Sequence, residues 1–247
     1  MLDRLLLLWD VDHTLIDIRG VGSLVFGEAF QEATGRPMSA GMATAHGHTE
    51  PVLLEKTLDL NGIGDRDEDL FRRFADAQAA SYRAHLVDLT QRGRVLPGVE
   101  TALRTLRAHP GVVQTVLTGN TRASAKIKVG AFGLDRYLDL EIGAYGDDDA
   151  HRPTLVDIAR QRAGRCHGAV FDTTATILIG DTPKDVEAAH SAGVRVIAIA
   201  SGSSTSAELA RAGADRVVTT LDGVDAPHLV TELLAGLSRN LTSGEQQ

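Results

Sequence analysis

Two carboxylates, Asp10 and Asp12, close an unbroken apolar run, Leu5-Leu6-Leu7-Leu8-Trp9, and the segment continues through His13-Thr14-Leu15. An apolar run of this length, ended by polar residues, predicts a strand buried on both faces. If the strand persists to its end, period-two geometry points Asp10 and Asp12 the same way. Carboxylates held close repel one another unless a cation sits between them or one takes a proton. The pair therefore predicts either a hard metal ion or acid/base chemistry. Alone, Asp-x-Asp favours the plainer reading of a strand that ends in a polar turn, so the rest of the chain must decide.

Two other stretches offer comparable chemistry. Val112 to Leu117 predicts a buried strand that ends at Thr118-Gly119-Asn120, and Thr176 to Ile179 predicts another that ends at Gly180-Asp181, with Asp185 following. Pro183 suits the first turn of a helix. Ligands of open parallel sheets sit beyond the carboxyl ends of the strands. Carboxylates there suit a hard cation, and the amides of a helix start suit phosphate. Together the three strand ends predict phosphoryl chemistry with Mg²⁺.

The elements needed to bring these residues together follow from periodicity. Residues 19–91 carry helical patterns and no convincing strand: Phe26, Ala29, Phe30 and Ala33 before Gly35, a second helix over 49–60, and a third marked by Leu70, Phe74, Ala77 and Ala84. Asp65, Asp67, Glu68 and Asp69 are expected in the first turn of that third helix, where acids complement the dipole. From Pro97 onward strand and helix alternate. Helix faces are expected after Pro97-Gly98, after Asn120, from Pro153 and from Leu229 to Leu237. Strands are expected at 194–199 and 217–218, with a weak one at 138–142, and a disordered tail over 242–247. Repeated β-α units predict an α/β fold with a doubly wound parallel sheet. The expected division is a core of 1–18 and 92–247 with a helical insertion at 19–91.

Composition narrows the setting. The 247 residues suffice for one large domain with a small insertion, and 43% apolar with 23% charged content is that of an ordinary globular protein. A net charge of −8 argues against a nucleic-acid partner. The single Cys166 excludes an intrachain disulfide framework and fits a reducing compartment. With no stretch near the roughly 20 apolar residues of a spanning helix, no membrane partner and a cytoplasmic location are expected.

The motifs Asp10-Val11-Asp12-His13-Thr14, Leu117-Thr118-Gly119-Asn120 and Gly180-Asp181-Thr182-Pro183-Lys184-Asp185 resemble, in order and approximate spacing, the first, second and fourth motifs of the haloacid dehalogenase superfamily. The helical block resembles that family's small cap, and Gly47-His48-Thr49-Glu50 resembles a Gly-Arg-Thr-Asp-like turn in the caps of phosphoglycolate phosphatase relatives. The resemblance implies that Asp10 is a nucleophile forming an aspartyl-phosphate. Asp12 would be the general acid/base, a second Asp found in the phosphatases but not in the dehalogenases of the superfamily. Thr118, with Gly119 and Asn120, would hold the phosphoryl group. Asp181 and Asp185, with Asp10 and the backbone carbonyl of Asp12, would hold Mg²⁺, and His48 would contact substrate from the cap. The third-motif basic residue is assigned to Arg152, ahead of the helix before the acidic strand, while Lys126 and Lys128 are expected at the solvated surface. His13 departs from the pattern, standing where the family usually has Gly.

The implied activity is a Mg²⁺-dependent phosphatase of a small phosphomonoester, phosphoglycolate-like or a sugar phosphate. Alternatives are a sugar-phosphate mutase of the same superfamily, a receiver-type phospho-acceptor module, a phosphonatase using Lys56, and an idle binding protein. A His46-His48-Glu50 zinc cluster falls short of a closed site. Asp147-Asp148-Asp149 reads as a solvated turn. Tyr82, Arg83, His46 and His48 are the unranked substrate-contact candidates, and nothing in the chain sets its oligomeric state.

Overall fold

β1 (Leu5–Trp9) lies inside the sheet because its side chains are apolar on both faces. It pairs with β4 (Val112–Val116) on one side and β5 (Thr176–Gly180) on the other. The order continues through β6 (Arg195–Ile199) to β7 (Arg216–Val218), and every pairing is parallel. The computed structural model describes residues 4–45 and 47–242, and side chains of the last helix as far as residue 235. Leu5, Leu7 and Trp9 enter the core on one face of the sheet, whereas Leu6 and Leu8 enter the core on the other. Each such side chain, fully withdrawn from water, contributes roughly 1.5–3 kcal/mol.

Helices cover both faces. α5 (Val99–Arg107), α6 (Arg122–Ala131) and α10 (Ala226–Thr242) share a core with Leu5 and Trp9, and α7 (Arg152–His167), α8 (Pro183–Ser191) and α9 (Ser206–Arg211) with Leu6 and Leu8. Trp9 and Val116 are register partners, as are Trp9 and Ile179. Asp10, Thr118 and Asp181 therefore emerge together at the carboxyl edge of three adjacent strands.

Between β2 (Ile16–Asp17) and β3 (Arg94–Val95) the chain forms α1 (Val21–Thr34), α2 (Glu50–Leu60), α3 (Leu70–Ala84) and α4 (Leu86–Arg92). β2 and β3 pair antiparallel, so the chain enters and leaves this helical segment at one place. The segment has its own apolar core, centred on an edge-to-face contact of Phe26 and Phe74 at 4.9 Å between ring centroids.

Several expectations are corrected. Residues 138–142 form no strand: a short 3₁₀ turn covers Asp135–Tyr137, and only an isolated bridge joins Leu117 to Ala144. The acids at 65–69 precede α3 rather than occupying its first turn, and Asp67 pairs with Arg73. The sequence reading did not anticipate α4, α9, β2 or β3, all short and weakly patterned. Of the expected tail (242–247), Thr242 instead ends α10 and 243–247 lie outside the described residues, as does the Leu237 side chain of the expected apolar face.

Candidate active site

A cavity of about 350 Å³ opens between the carboxyl edge of the sheet and the helical segment, with Asp10, Asp12, Thr118, Arg152 and Asp181 on its sheet side. Arg152 begins α7 and is buried. Its Nη2 lies 3.0 Å from Asp10 Oδ1 and 2.5 Å from Asp185 Oδ1. Asp185 caps α8: its Oδ2 accepts from the Thr182 amide at 3.0 Å and the Thr182 hydroxyl at 2.7 Å. A side chain at Gly180 would collide with the Asp185 carboxylate, so the glycine makes that inward turn possible. Asp181 Oδ1 accepts from the Thr14 hydroxyl at 3.1 Å.

Oxygens of Asp10, Asp181 and Asp185 lie within 4.8 Å of one another, all three buried. Burial, together with Asp185 and Asp12, holds Asp10 above the ordinary carboxylate range despite Arg152. Burial, then Asp10 and Asp185, push Asp181 upward as well. Buried carboxylates facing a single guanidinium form a cluster short of positive charge, and an all-oxygen donor set suits a hard divalent cation. The cluster fits a metal such as Mg²⁺. The donors from Thr182 and Arg152 already engage both oxygens of Asp185, which leaves Asp10 and Asp181 the more open carboxylates.

The Asp12 side chain turns away from that cluster to Lys128. This corrects the expectation that Lys128 lies at the surface: its side chain is 4% exposed, with Nζ 2.8 Å from Asp12 Oδ2 and 2.6 Å from Asn120 Oδ1. Asn120 Nδ2 also donates to Asp12 Oδ2 at 2.8 Å and to Thr118 Oγ1 at 2.7 Å. Burial opposes charge on Asp12, but Lys128 and Asn120 hold it below its ordinary value. Lys128 shares a helical stripe with Ser124, Ala125 and Val129, all buried. That spacing is the signal that separates Lys128 from Lys126, which pairs with Glu141 in solvent at 2.6 Å.

His13 has φ of 60°, the left-handed conformation that explains why glycine suits this position and in which His is tolerated. From the helical side, the Glu50 amide donates to the Gly119 carbonyl at 2.8 Å. A side chain at Gly119 would strike the His48 carbonyl, so the glycine lets the two loops meet. His48 lines the cavity, with Nε2 2.9 Å from Lys56 Nζ. Tyr82 also lines it, with its ring 5.1 Å from Lys128 Nζ, whereas Arg83 is exposed.

The residue that sequence reasoning did not single out for substrate is Glu50. It is buried on the cavity wall, with Oε1 accepting from Gln78 Nε2 at 3.0 Å. Gln78 Oε1 accepts from the Ser124 hydroxyl at 2.8 Å, and Glu50 Oε2 is buried without a hydrogen-bond partner. Burial pushes Glu50 up to about 7. The zinc alternative involving His46 falls outside the described residues. Asp147, Asp148 and Asp149 are absorbed by turn and ion-pair duties, Asp148 with Arg162 at 2.5 Å.

A parallel sheet with this acid-and-amide constellation at its carboxyl edge defines a class of phosphate-ester hydrolases, and comparison with known proteins agrees. Residues 7–190 match the haloacid dehalogenase-like hydrolase family, and the chain belongs to it. It is 29% identical over 181 residues to the plasmid phosphoglycolate phosphatase of Cupriavidus necator, covering 73% of each chain. In fold it is similar to the crystal structure of a predicted phosphoglycolate phosphatase from Haemophilus somnus, with TM-score 0.66, 20% identity, and 94% and 99% of the two chains covered. It is also similar to a β-phosphoglucomutase from Clostridium difficile, with TM-score 0.69, 13% identity, and 95% and 98% covered. The chain is a hydrolase acting on phosphate esters. No helix among the described residues is long and apolar enough to cross a membrane.

Proposed function

We propose that the protein is a Mg²⁺-dependent phosphatase of a small phosphomonoester, phosphoglycolate-like or a sugar phosphate, working through an aspartyl-phosphate on Asp10. The observation that carries this reading is the separation of Asp10 and Asp12 into two settings, one beside Arg152 and the other acids, one beside Lys128. Asp10 attacks phosphorus as the ester P–O bond breaks, and the leaving oxygen takes a proton from Asp12. Asp12 then takes a proton from water, whose oxygen attacks phosphorus and releases Asp10 and inorganic phosphate. Asp12 must carry a proton in the first step and lack one in the second, and Lys128 sets the balance between those forms. Arg152 offsets repulsion between Asp10 and the phosphoryl oxygens. Thr118, Gly119 and Asn120 hold that group. Asp10 and Asp181, with the Asp12 backbone carbonyl and Asp185 behind them, would hold Mg²⁺, which supplies charge stabilisation to the transferring phosphoryl group.

The helical segment, 19–91, serves as a cap that closes over the site and excludes water, with His48 contacting substrate. The exposed, unpaired Cys166 supports a reducing, cytoplasmic setting.

Phosphate release from a panel of phosphomonoesters, with Mg²⁺ and with excess chelator, tests the reading. Release that stops in chelator and in Asp10→Asn is expected. Isomerisation without net phosphate release would make the protein a mutase, and full activity in chelator would remove the metal.

A further inference from the structure

Glu50 is held as a fixed acceptor with one oxygen to spare. Its backbone is tied to the phosphate-side loop through Gly119, and its Oε1 is tied to Gln78, itself anchored on Ser124 of α6. These ties leave Oε2 buried without a partner, on a residue that lines the cavity. A buried acceptor without a donor is costly, and the cost is recovered when a ligand supplies the donor. The buried lining cations are engaged by protein acids, Lys128 by Asp12 and Arg152 by Asp10 and Asp185, and the half-exposed Arg19 lies 3.5 Å from Asp17. His48 lies against Lys56. Phe26, Met42 and Leu53 add apolar wall on the helical side.

We infer that Glu50 is a specificity-determining residue, which accepts a hydrogen bond from a hydroxyl on the organic part of the phosphomonoester and rejects an organic part that ends in a carboxylate. This rests on the phosphatase reading above and narrows its two substrate candidates to the hydroxylated one. A carboxylate placed against Oε2 could offer it no donor and would add like charge in a low-dielectric pocket, so at least one of the two groups would have to bind a proton. A hydroxyl satisfies Oε2 and brings no charge.

The test uses matched esters: 2-hydroxyethyl phosphate against 2-phosphoglycolate, 3-hydroxypropyl phosphate against 3-(phosphonooxy)propanoate, and ethyl phosphate as the partner that lacks a donor. For the wild-type protein with Mg²⁺, assayed above about pH 8 so that Glu50 carries its charge, kcat/KM should favour each hydroxyl ester over its carboxylate counterpart, and over ethyl phosphate, by about tenfold or more. Glu50→Gln, which retains hydrogen bonding to Gln78 and to a hydroxyl, should narrow the hydroxyl-to-carboxylate ratio about tenfold, mainly by improving the carboxylate esters. Glu50→Leu should erase the preference for 2-hydroxyethyl over ethyl phosphate, and thermal melting establishes that each variant is folded. If Glu50→Leu does not fold, the Glu50→Gln ratios decide alone. Equal or better turnover of the carboxylate esters by the wild type, or unchanged ratios in Glu50→Gln, would overturn the inference while leaving the phosphatase reading intact. No phosphate release from any ester, p-nitrophenyl phosphate included, would overturn the phosphatase reading and this inference with it.

Discussion

Asp10 and Asp12 are two residues apart at the end of one strand, yet they occupy opposite electrostatic settings. Asp10 faces Asp181 and Asp185 across a buried space and shares Arg152 with Asp185, and burial among acids raises its proton affinity. Asp12 has a cation of its own, Lys128, and an amide donor, Asn120, and burial is outweighed there. The contrast shows that the chemistry of a carboxylate pair is set less by the pair than by the cations that later helices bring to each member. An acid cluster that shares one guanidinium is short of positive charge, and an acid with a private ammonium is held ionised.

The strongest way to break the contrast is to remove the member proposed as nucleophile. Asp10→Asn should keep the fold and lose turnover by a factor on the order of 10⁴–10⁶, read as phosphate release at saturating Mg²⁺. Activity within tenfold of wild type would end the assignment.

Next in size is the shared cation. Arg152→Ala should lose on the order of 10²–10³ in turnover, as expected for one stabiliser of developing charge. Arg152→Lys should recover part of this, since the point charge returns without the planar fork that reaches two carboxylates. Lys126→Ala, which cuts only a solvent-exposed pair with Glu141, should stay near wild type. A crippled Lys126→Ala beside a near-normal Arg152→Ala would reverse the assignment.

Removing the private cation sharpens the comparison more gently. Lys128 holds Asp12 low, so Lys128→Met raises the Asp12 pKa, and the limb of the kcat/KM profile set by Asp12 should move to higher pH. Turnover should fall about tenfold to a hundredfold, less than the full contribution of a general acid/base. A profile that keeps its position would mean Asp12 does not set that limb.

The smallest effect concerns stability. Glu50 is raised from an ordinary 4.5 to about 7 in the folded chain by burial. Below the lower value it is protonated folded or unfolded and costs nothing. Between the two values the unfolded chain ionises first, so rising pH erodes stability by about 3 kcal/mol at most, and no further above pH 7. Glu50→Gln should therefore gain roughly 1–3 kcal/mol over wild type at pH 8 and little at pH 4. Urea midpoints at both values measure it, and an equal gain at each would place the effect elsewhere.

Local patterns carried much of this molecule. The apolar run at Leu5–Trp9, the alternation of strands and helices after Pro97, and the polar ends at Asp10, Thr118 and Asp181 are properties of short segments, and a buried strand or amphipathic helix declares itself within a dozen residues. Because parallel strands place their carboxyl ends on one edge, these patterns also converge on one cavity. Weakly patterned pieces escaped: β2 and β3 are two residues each, and their pairing joins positions far apart in the chain. Lys128 was misplaced because a cation on a helix is normally solvated, although its stripe with Ala125 and Val129 points inward. Nothing local distinguishes Glu50 from any acid at a helix start. Its burial, its bond to Gln78 and its unpartnered oxygen exist only once α2, α3 and α6 meet. Periodicity specifies which face of an element is buried, but the partner of a buried charge depends on distances across the fold, which no single segment encodes.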